Sequence, residues 1–257
     1  MDYRGGLEFR LDEGIGARAR IGLVVLATDQ TIEHEWRHIF AGLEGVALYE
    51  SRMWNEVRVT PETLAALEKD IPAAVRVLVP VLPLSVIAFG CTSGAVVLGE
   101  ERIAARVHEV RPGVPVTTPI GGALAAFRAL GVRRLAVLTP YSRAVNEVVR
   151  RYLEARGLEI PVFGSFEEED DGKVARIDPA SIEAAVLELG RDRRAEAVFV
   201  SCTSLRLVAG LCALEDRLDK PVTSSNHAMA WHALRLAGIE DRLARFGRLF
   251  TRPLPVG

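Results

Sequence analysis

The chain has 257 residues, 49% of them hydrophobic and 26% charged, a composition that excludes dominant disorder. Its 22 glycines and 13 prolines follow no period, which excludes collagen-like and coiled-coil classes. Lys plus Arg (32) nearly balances Asp plus Glu (34), for a net charge of −2, so no nucleic-acid partner is expected. Three cysteines are too few for a disulfide framework and point to reduced thiols in a cytoplasm.

Met1 to Arg20 carries Arg4, Arg10, Arg18 and Arg20 among acids and glycines and has no apolar core of signal-peptide length, so export is not indicated. Continuous apolar runs then predict buried strands at Ile21–Ala27, Val46–Tyr49, Ser85–Phe89, Leu135–Thr139, Ile160–Phe163 and Ala197–Ser201. Segments of helical period lie between them: Pro61–Leu78, Gly99–Val110, Ser142–Ala155, Pro179–Leu189 and Leu205–Leu218. Thr60-Pro61 and Asp178-Pro179 are cap-plus-first-turn signals. Val75 to Gly90 is the most apolar stretch, but Pro80 and Pro83 interrupt it and it is shorter than a membrane span, so no membrane partner is expected. Strand–helix alternation means an α/β protein with mostly parallel sheets, whose ligands bind at the carboxyl edge of the strands.

Three segments recur in the same order. Arg20-Ile-Gly-Leu-Val-Val matches Arg134-Leu-Ala-Val-Leu-Thr, and Phe89-Gly-Cys91-Thr-Ser matches Val200-Ser-Cys202-Thr-Ser. Pro115-Val-Thr-Thr-Pro with an Ala-rich helix to Leu130 matches Pro221-Val-Thr-Ser-Ser with a like helix to Leu236. The repeat implies two similar α/β halves related by a pseudo-twofold axis, which brings the two Cys-Thr-Ser turns together across a cleft.

Each cysteine follows an apolar strand and precedes Thr-Ser. Helix N-termini there are expected to lower the thiol pKa values and attract a carboxylate. Thr92, Ser93, Thr203 and Ser204 add hydroxyl donors. Cys91 and Cys202 facing one another suit two-base proton transfer at a carbon beside a carboxylate, and equally suit thiolate addition to an activated double bond. Cys212 has no counterpart in the repeat and reads as core filler. Asp29 either caps the helix starting near Gln30 or faces the ligand. His227, placed by the repeat at the start of the last Ala-rich helix, is a candidate pocket residue. His34 and His38 lack a third ligand, so no metal is expected, and no Gly-x-Gly-x-x-Gly fingerprint indicates a dinucleotide. Glu167 to Asp171 reads as a solvated loop or a lid.

The order Arg20-Ile-Gly-Leu-Val-Val, Gly90-Cys-Thr-Ser-Gly, Leu138-Thr-Pro-Tyr141 with Asn146, Ser201-Cys-Thr-Ser and Ser224-Ser-Asn226 resembles the aspartate/glutamate racemase superfamily. Within it, residues 18 to 240 are similar to the branch of maleate cis–trans isomerases, arylmalonate decarboxylases and ectoine-utilisation proteins. That resemblance implies two Rossmann-like (flavodoxin-like) halves, the final helices crossing back to the first: residues 1–115 plus 226–257, and residues 116–225. It implies a cofactor-independent enzyme acting on a small carboxylate. Cys91 and Cys202 match the catalytic pair, and Tyr141 matches a tyrosine that binds a substrate carboxylate. Arylmalonate decarboxylases of the branch keep only the second cysteine, so Cys91 implies isomerisation or racemisation. Maleate isomerases show Pro-Ser-Ser-Asn where this chain has Leu26-Ala-Thr-Asp29, and they carry a substrate-binding Asn where it has the acidic Glu167–Asp171 loop. Ionised carboxylates repel a dianion and suit an ammonium group. The run Thr28 to Glu35 is most similar to the ectoine-utilisation proteins and implies an amino-acid-like intermediate of compatible-solute catabolism. A homo-oligomer is expected, from the frequency of oligomers among enzymes and an apolar tail, Leu249-Phe250 with Pro253, read as exposed.

Overall fold

The computed structural model describes residues 1–255. In chain order the first sheet and its helices are β1 (Ala19–Leu26), α1 (Ile32–Phe40), β2 (Val46–Met53), α2 (Pro61–Ala65), α3 (Ile71–Arg76), β3 (Val86–Gly90), α4 (Thr92–Leu98), α5 (Glu100–His108) and β4 (Val116–Thr117). There follow α6 (Pro119–Leu130), β5 (Arg134–Thr139), α7 (Arg143–Glu154), β6 (Glu159–Ser165), α8 (Asp171–Val174), α9 (Pro179–Gly190), β7 (Ala197–Val200), α10 (Leu211–Leu218), β8 (Val222–Ser224) and α11 (Ser225–Leu236). All strand pairs are parallel, in two four-stranded sheets of equivalent order, β2-β1-β3-β4 and β6-β5-β7-β8. The repeat is therefore a repeat of structure, and the fold is α/β with two Rossmann-like halves.

The central strands carry continuous apolar runs because helices cover both faces. Every residue of β3 and β7 is buried. The equivalent helices α6 and α11 pack against each other near the pseudo-axis. Gly122 permits this approach, since a Cβ there would lie 2.8 Å from Met229 Cα. Each helix then leans on the opposite sheet. Phe127 of α6 meets Phe199 of β7 edge to face at 5.4 Å, while α11 packs on β3. Val116 and Thr117 pair with Ile87 and Ala88, so the first sheet ends after Thr117 rather than at the expected residue 115.

Several elements differ from the sequence reading for local reasons. The expected Pro61–Leu78 helix is α2, a 3-10 stretch (Ala66–Asp70) and α3, because Pro72 lacks the N–H that a continuous helix needs. Gly99, at φ 85°, separates α4 from α5. β4 and β8 are strands of two and three residues, too short for an apolar run to announce. Leu249 and Phe250 are buried, Phe250 tilted against His227 at 4.8 Å, so of the apolar tail expected to be exposed only Pro253 is. Cys212 is half-buried on α10, its thiol donating to the Arg245 carbonyl at 3.1 Å, and is not core filler. Among the described residues, no helix is long and apolar enough to cross a membrane.

Candidate active site

The two cysteines stand at the carboxyl ends of the central strands, where the parallel arrangement leaves a crevice. Cys91 follows β3 and caps α4: its backbone is extended (φ −144°, ψ 117°) and its Sγ accepts the Gly94 N–H at 3.3 Å. A Cβ at position 94 would lie 2.9 Å from that sulfur, so the turn requires glycine. Cys202 follows β7, and its Sγ accepts the Ser204 N–H at 3.4 Å. Both thiols line one small cavity of about 30 Å³, together with Thr92, Ser93, Tyr141, Thr203, Ser204, Asn55 and Asp171.

The second turn departs from expectation. No helix begins after Thr203-Ser204; the chain runs irregularly to a 3-10 turn at Val208–Gly210 and then α10. Leu205 and Leu207 are buried there, which draws the backbone away from a helical path. The thiol pKa values also run opposite to expectation. Burial pushes Cys91 up to about 12, against the Gly94 N–H and the Ser93 hydroxyl, and the charges of Asp171 and Asp29 add to the rise. Burial likewise raises Cys202, aided by Asp171 and Asp29 and opposed by the Ser204 N–H and the Tyr141 hydroxyl. Desolvation of two thiols beside two carboxylates outweighs the N–H donors.

Tyr141, two residues past β5, is buried and lines the same cavity, its hydroxyl near Cys202 of one turn and Thr92 of the other. The Thr92 hydroxyl donates to Ser225 Oγ at 2.8 Å. Asp29 takes the capping position and is not among the residues that line the cavity. Its Oδ1 accepts the Thr31 and Ile32 N–H groups at 2.7 and 2.9 Å and caps α1, whereas its Oδ2 is buried without a partner. Burial raises its pKa above the ordinary carboxylate value. His227 is not in the pocket. Its Nδ1 pairs with Thr223 Oγ1 at 2.9 Å and its Nε2 with the Phe246 carbonyl at 2.7 Å, so both ring nitrogens are committed to the packing of the chain's end.

Sequence reasoning missed the individual role of Asp171. Its carboxylate accepts the Thr28 hydroxyl at 2.5 Å and the Ser204 hydroxyl at 2.8 Å. Asn55 Nδ2 donates to the Thr28 hydroxyl oxygen at 2.8 Å, so one chain of bonds crosses from the first half to the second. Glu169 pairs with Arg58 at 3.0 Å at the mouth, and residues 58 and 170 form an isolated antiparallel bridge. The acidic loop is thus tied to the first half at Arg58, and Asp171 is its inward end. The signal in the sequence was only a run of five acidic residues, which any solvated loop shares.

A two-sheet α/β protein with one cysteine at the carboxyl edge of each sheet, both in one cavity, is the class that this geometry defines. The chain belongs to the arylmalonate decarboxylase family, whose profile matches residues 82–250. It is 25% identical over 251 residues to the maleate isomerase of Alcaligenes faecalis, covering 92% of this chain and 98% of that one. It is 34% identical over 140 residues to the arylmalonate decarboxylase of Bordetella bronchiseptica, covering 54% of this chain and 58% of that one. Among solved structures, it superposes with a TM-score of 0.83 on the Nocardia farcinica maleate cis–trans isomerase, at 26% identity over 91% of this chain and 98% of that one. That structure is a cysteine-to-serine mutant with a covalently bound succinylcysteine intermediate.

Proposed function

We propose that this chain is a two-cysteine isomerase or racemase acting at a carbon beside a carboxylate, on a small substrate that also carries an ammonium group. The observation that carries the reading is the shared cavity of Cys91 and Cys202, with the Tyr141 hydroxyl between their turns. One sulfur, as thiolate, takes the proton as the C–H bond breaks, and the electron pair passes into the carboxylate as an enediolate. The opposite thiol then delivers its proton to the other face, and the two sulfurs exchange roles. Tyr141 and the Ser93 and Thr203 hydroxyls suit the carboxylate, whose developing charge they stabilise.

The carboxylates support the ammonium. Asp29 and Asp171 stand near both thiols, and Arg58, the one basic lining residue among those described, is committed to Glu169 at the mouth. A bound cation relieves this excess of negative charge and lowers both thiol pKa values, so the correct substrate helps to generate its own thiolate. The similarity of Thr28–Glu35 to ectoine-utilisation proteins supports an amino-acid-like intermediate of compatible-solute catabolism. Three free cysteines fit a reducing compartment, the cytoplasm.

A second reading is cis–trans isomerisation of an unsaturated diacid, favoured by the names of relatives that match over nine-tenths of the chain. There, one sulfur adds to the double bond, rotation follows about the resulting single bond, and elimination of the thiolate restores the alkene. Incubation in D2O with amino acids, diamino acids, their N-acetylated forms and maleate separates the readings by NMR. Deuterium at the carbon beside the carboxylate, abolished in both Cys91→Ser and Cys202→Ser, is the expected result. Conversion of maleate with no exchange into any amino acid refutes the first reading.

A further inference from the structure

The missing helix after Cys202 raises the question of what holds that turn. The answer comes from the other half of the molecule. Glu35 lies on the buried face of α1 with Ile32, Trp36 and Ile39, and its side chain reaches across the cleft. Oε1 accepts the Leu207 N–H at 2.6 Å and the Val208 N–H at 2.7 Å. Oε2 accepts from Asn226 Nδ2 at 2.7 Å, and the same amide donates to the Thr203 carbonyl at 2.7 Å. Trp36 Nε1 holds the Asn226 carbonyl at 3.1 Å, and Thr31, one turn earlier, donates to the Ser204 carbonyl at 3.0 Å.

We propose that Glu35 is the positioning residue of Cys202: its carboxylate, through Leu207, Val208 and Asn226, fixes the loop that a helix N-terminus fixes at Cys91. The inference deepens the proposed function and rests on Cys202 being one of its two acid–base groups. It also makes the geometry of one thiol depend on closure of the cleft, since Glu35 belongs to the first half and Cys202 to the second. Cys91, capped within its own half by Gly94, has no such dependence.

The carboxylate titrates in a useful range. Burial, opposed by its three donors and reinforced by the charge of Asp29, pushes Glu35 up to about 7. The other ionisable groups beside it are Arg206, Glu183, His34 and His38, which line the neighbouring shallow cavity. Protonation weakens the acceptor for Leu207, Val208 and Asn226 together and loosens the Cys202 loop alone.

The test is the ratio of iodoacetamide alkylation rates at Cys202 and Cys91, followed by peptide mapping between pH 5.5 and 8.5. Both thiols titrate far above this range, so the rise of thiolate with pH cancels in the ratio. In the wild-type protein the ratio should climb about tenfold as pH falls, with its midpoint near that of Glu35, since bonds to a charged acceptor are worth a factor of that order or more. In Glu35→Gln the ratio should be high and independent of pH. The new amide nitrogen faces Asn226 Nδ2 donor to donor, and turning Asn226 to accept it releases the Thr203 carbonyl. Thr31→Val, which cuts only the neighbouring tether, should raise the ratio while keeping the wild-type midpoint. A pH-independent ratio in the wild-type protein overturns the proposal, as does a folded Glu35→Gln with the wild-type profile. If Glu35→Gln does not fold, the wild-type profile and Thr31→Val decide. The alkylation readout needs no substrate, so retention of turnover by Cys202→Ser overturns the proposed function without touching this result.

Discussion

Asp29→Asn isolates a charge from a cap. The cap is kept: Asn Oδ1 accepts the Thr31 and Ile32 N–H groups as the carboxylate does, and Asn caps about as well as Asp. Lost is the charge whose second oxygen is buried without a partner. Two unit charges 4–8 Å apart at an effective dielectric of 20 interact by about 2–4 kcal/mol, roughly 30- to 1,000-fold in selectivity. The variant should therefore lose kcat/KM on an ammonium-bearing carboxylate and gain on maleate, the ratio between them shifting by that factor. Both thiols should also ionise more readily, because the Asp29 charge is among the causes that raise them. Steady-state kinetics on the two substrates, with thiol alkylation against pH, measure both effects. A substrate ratio within about twofold of wild type, with unchanged thiol reactivity, refutes a role for Asp29 beyond the cap.

Tyr141→Phe removes the hydroxyl between the two turns and should lower kcat by about 10²–10³, the cost of losing one donor to developing charge, with the fold intact by circular dichroism. Glu35 gives a pH signature in stability. Its folded pKa of about 7 lies above the ordinary 4.5, so its contribution is fully present below 4.5 and lost as pH rises through 7, by about 3 kcal/mol. Denaturant midpoints from pH 4.5 to 8 should show that fall, and Glu35→Gln should flatten it. His227 has the opposite sign: burial lowers its ring to about 4, so its contribution is present above 6.5 and lost as pH falls through 4. His227→Gln should cost about 1–3 kcal/mol of stability through the Thr223 and Phe246 bonds, and turnover of the folded variant should stay at the wild-type level.

The architecture was legible because it is written in local patterns. Apolar runs such as Val86–Phe89 and Ala197–Val200 mark strands covered on both faces, and three ordered matches mark the repeat. The placement of Cys91 and Cys202 at equivalent strand ends followed, because chain connectivity alone sets what comes after a strand. Even Glu35 left a trace: with Ile32, Trp36 and Ile39 it keeps the i, i+3, i+4, i+7 spacing of a buried stripe, a carboxylate where an apolar residue belongs. What the pattern withheld depends on residues far apart in the chain. Whether a thiol is acidic is decided by the burial and the Asp29 and Asp171 charges that folding gathers round it. The same holds for His227 and for Leu249-Phe250, which pack on one another's neighbours rather than on ligand or subunit. The Cys202 turn is the plainest instance. Its sequence repeats that of the Cys91 turn, and tertiary structure overrides it, because a carboxylate from the other half satisfies the N–H groups that a local helix otherwise organises.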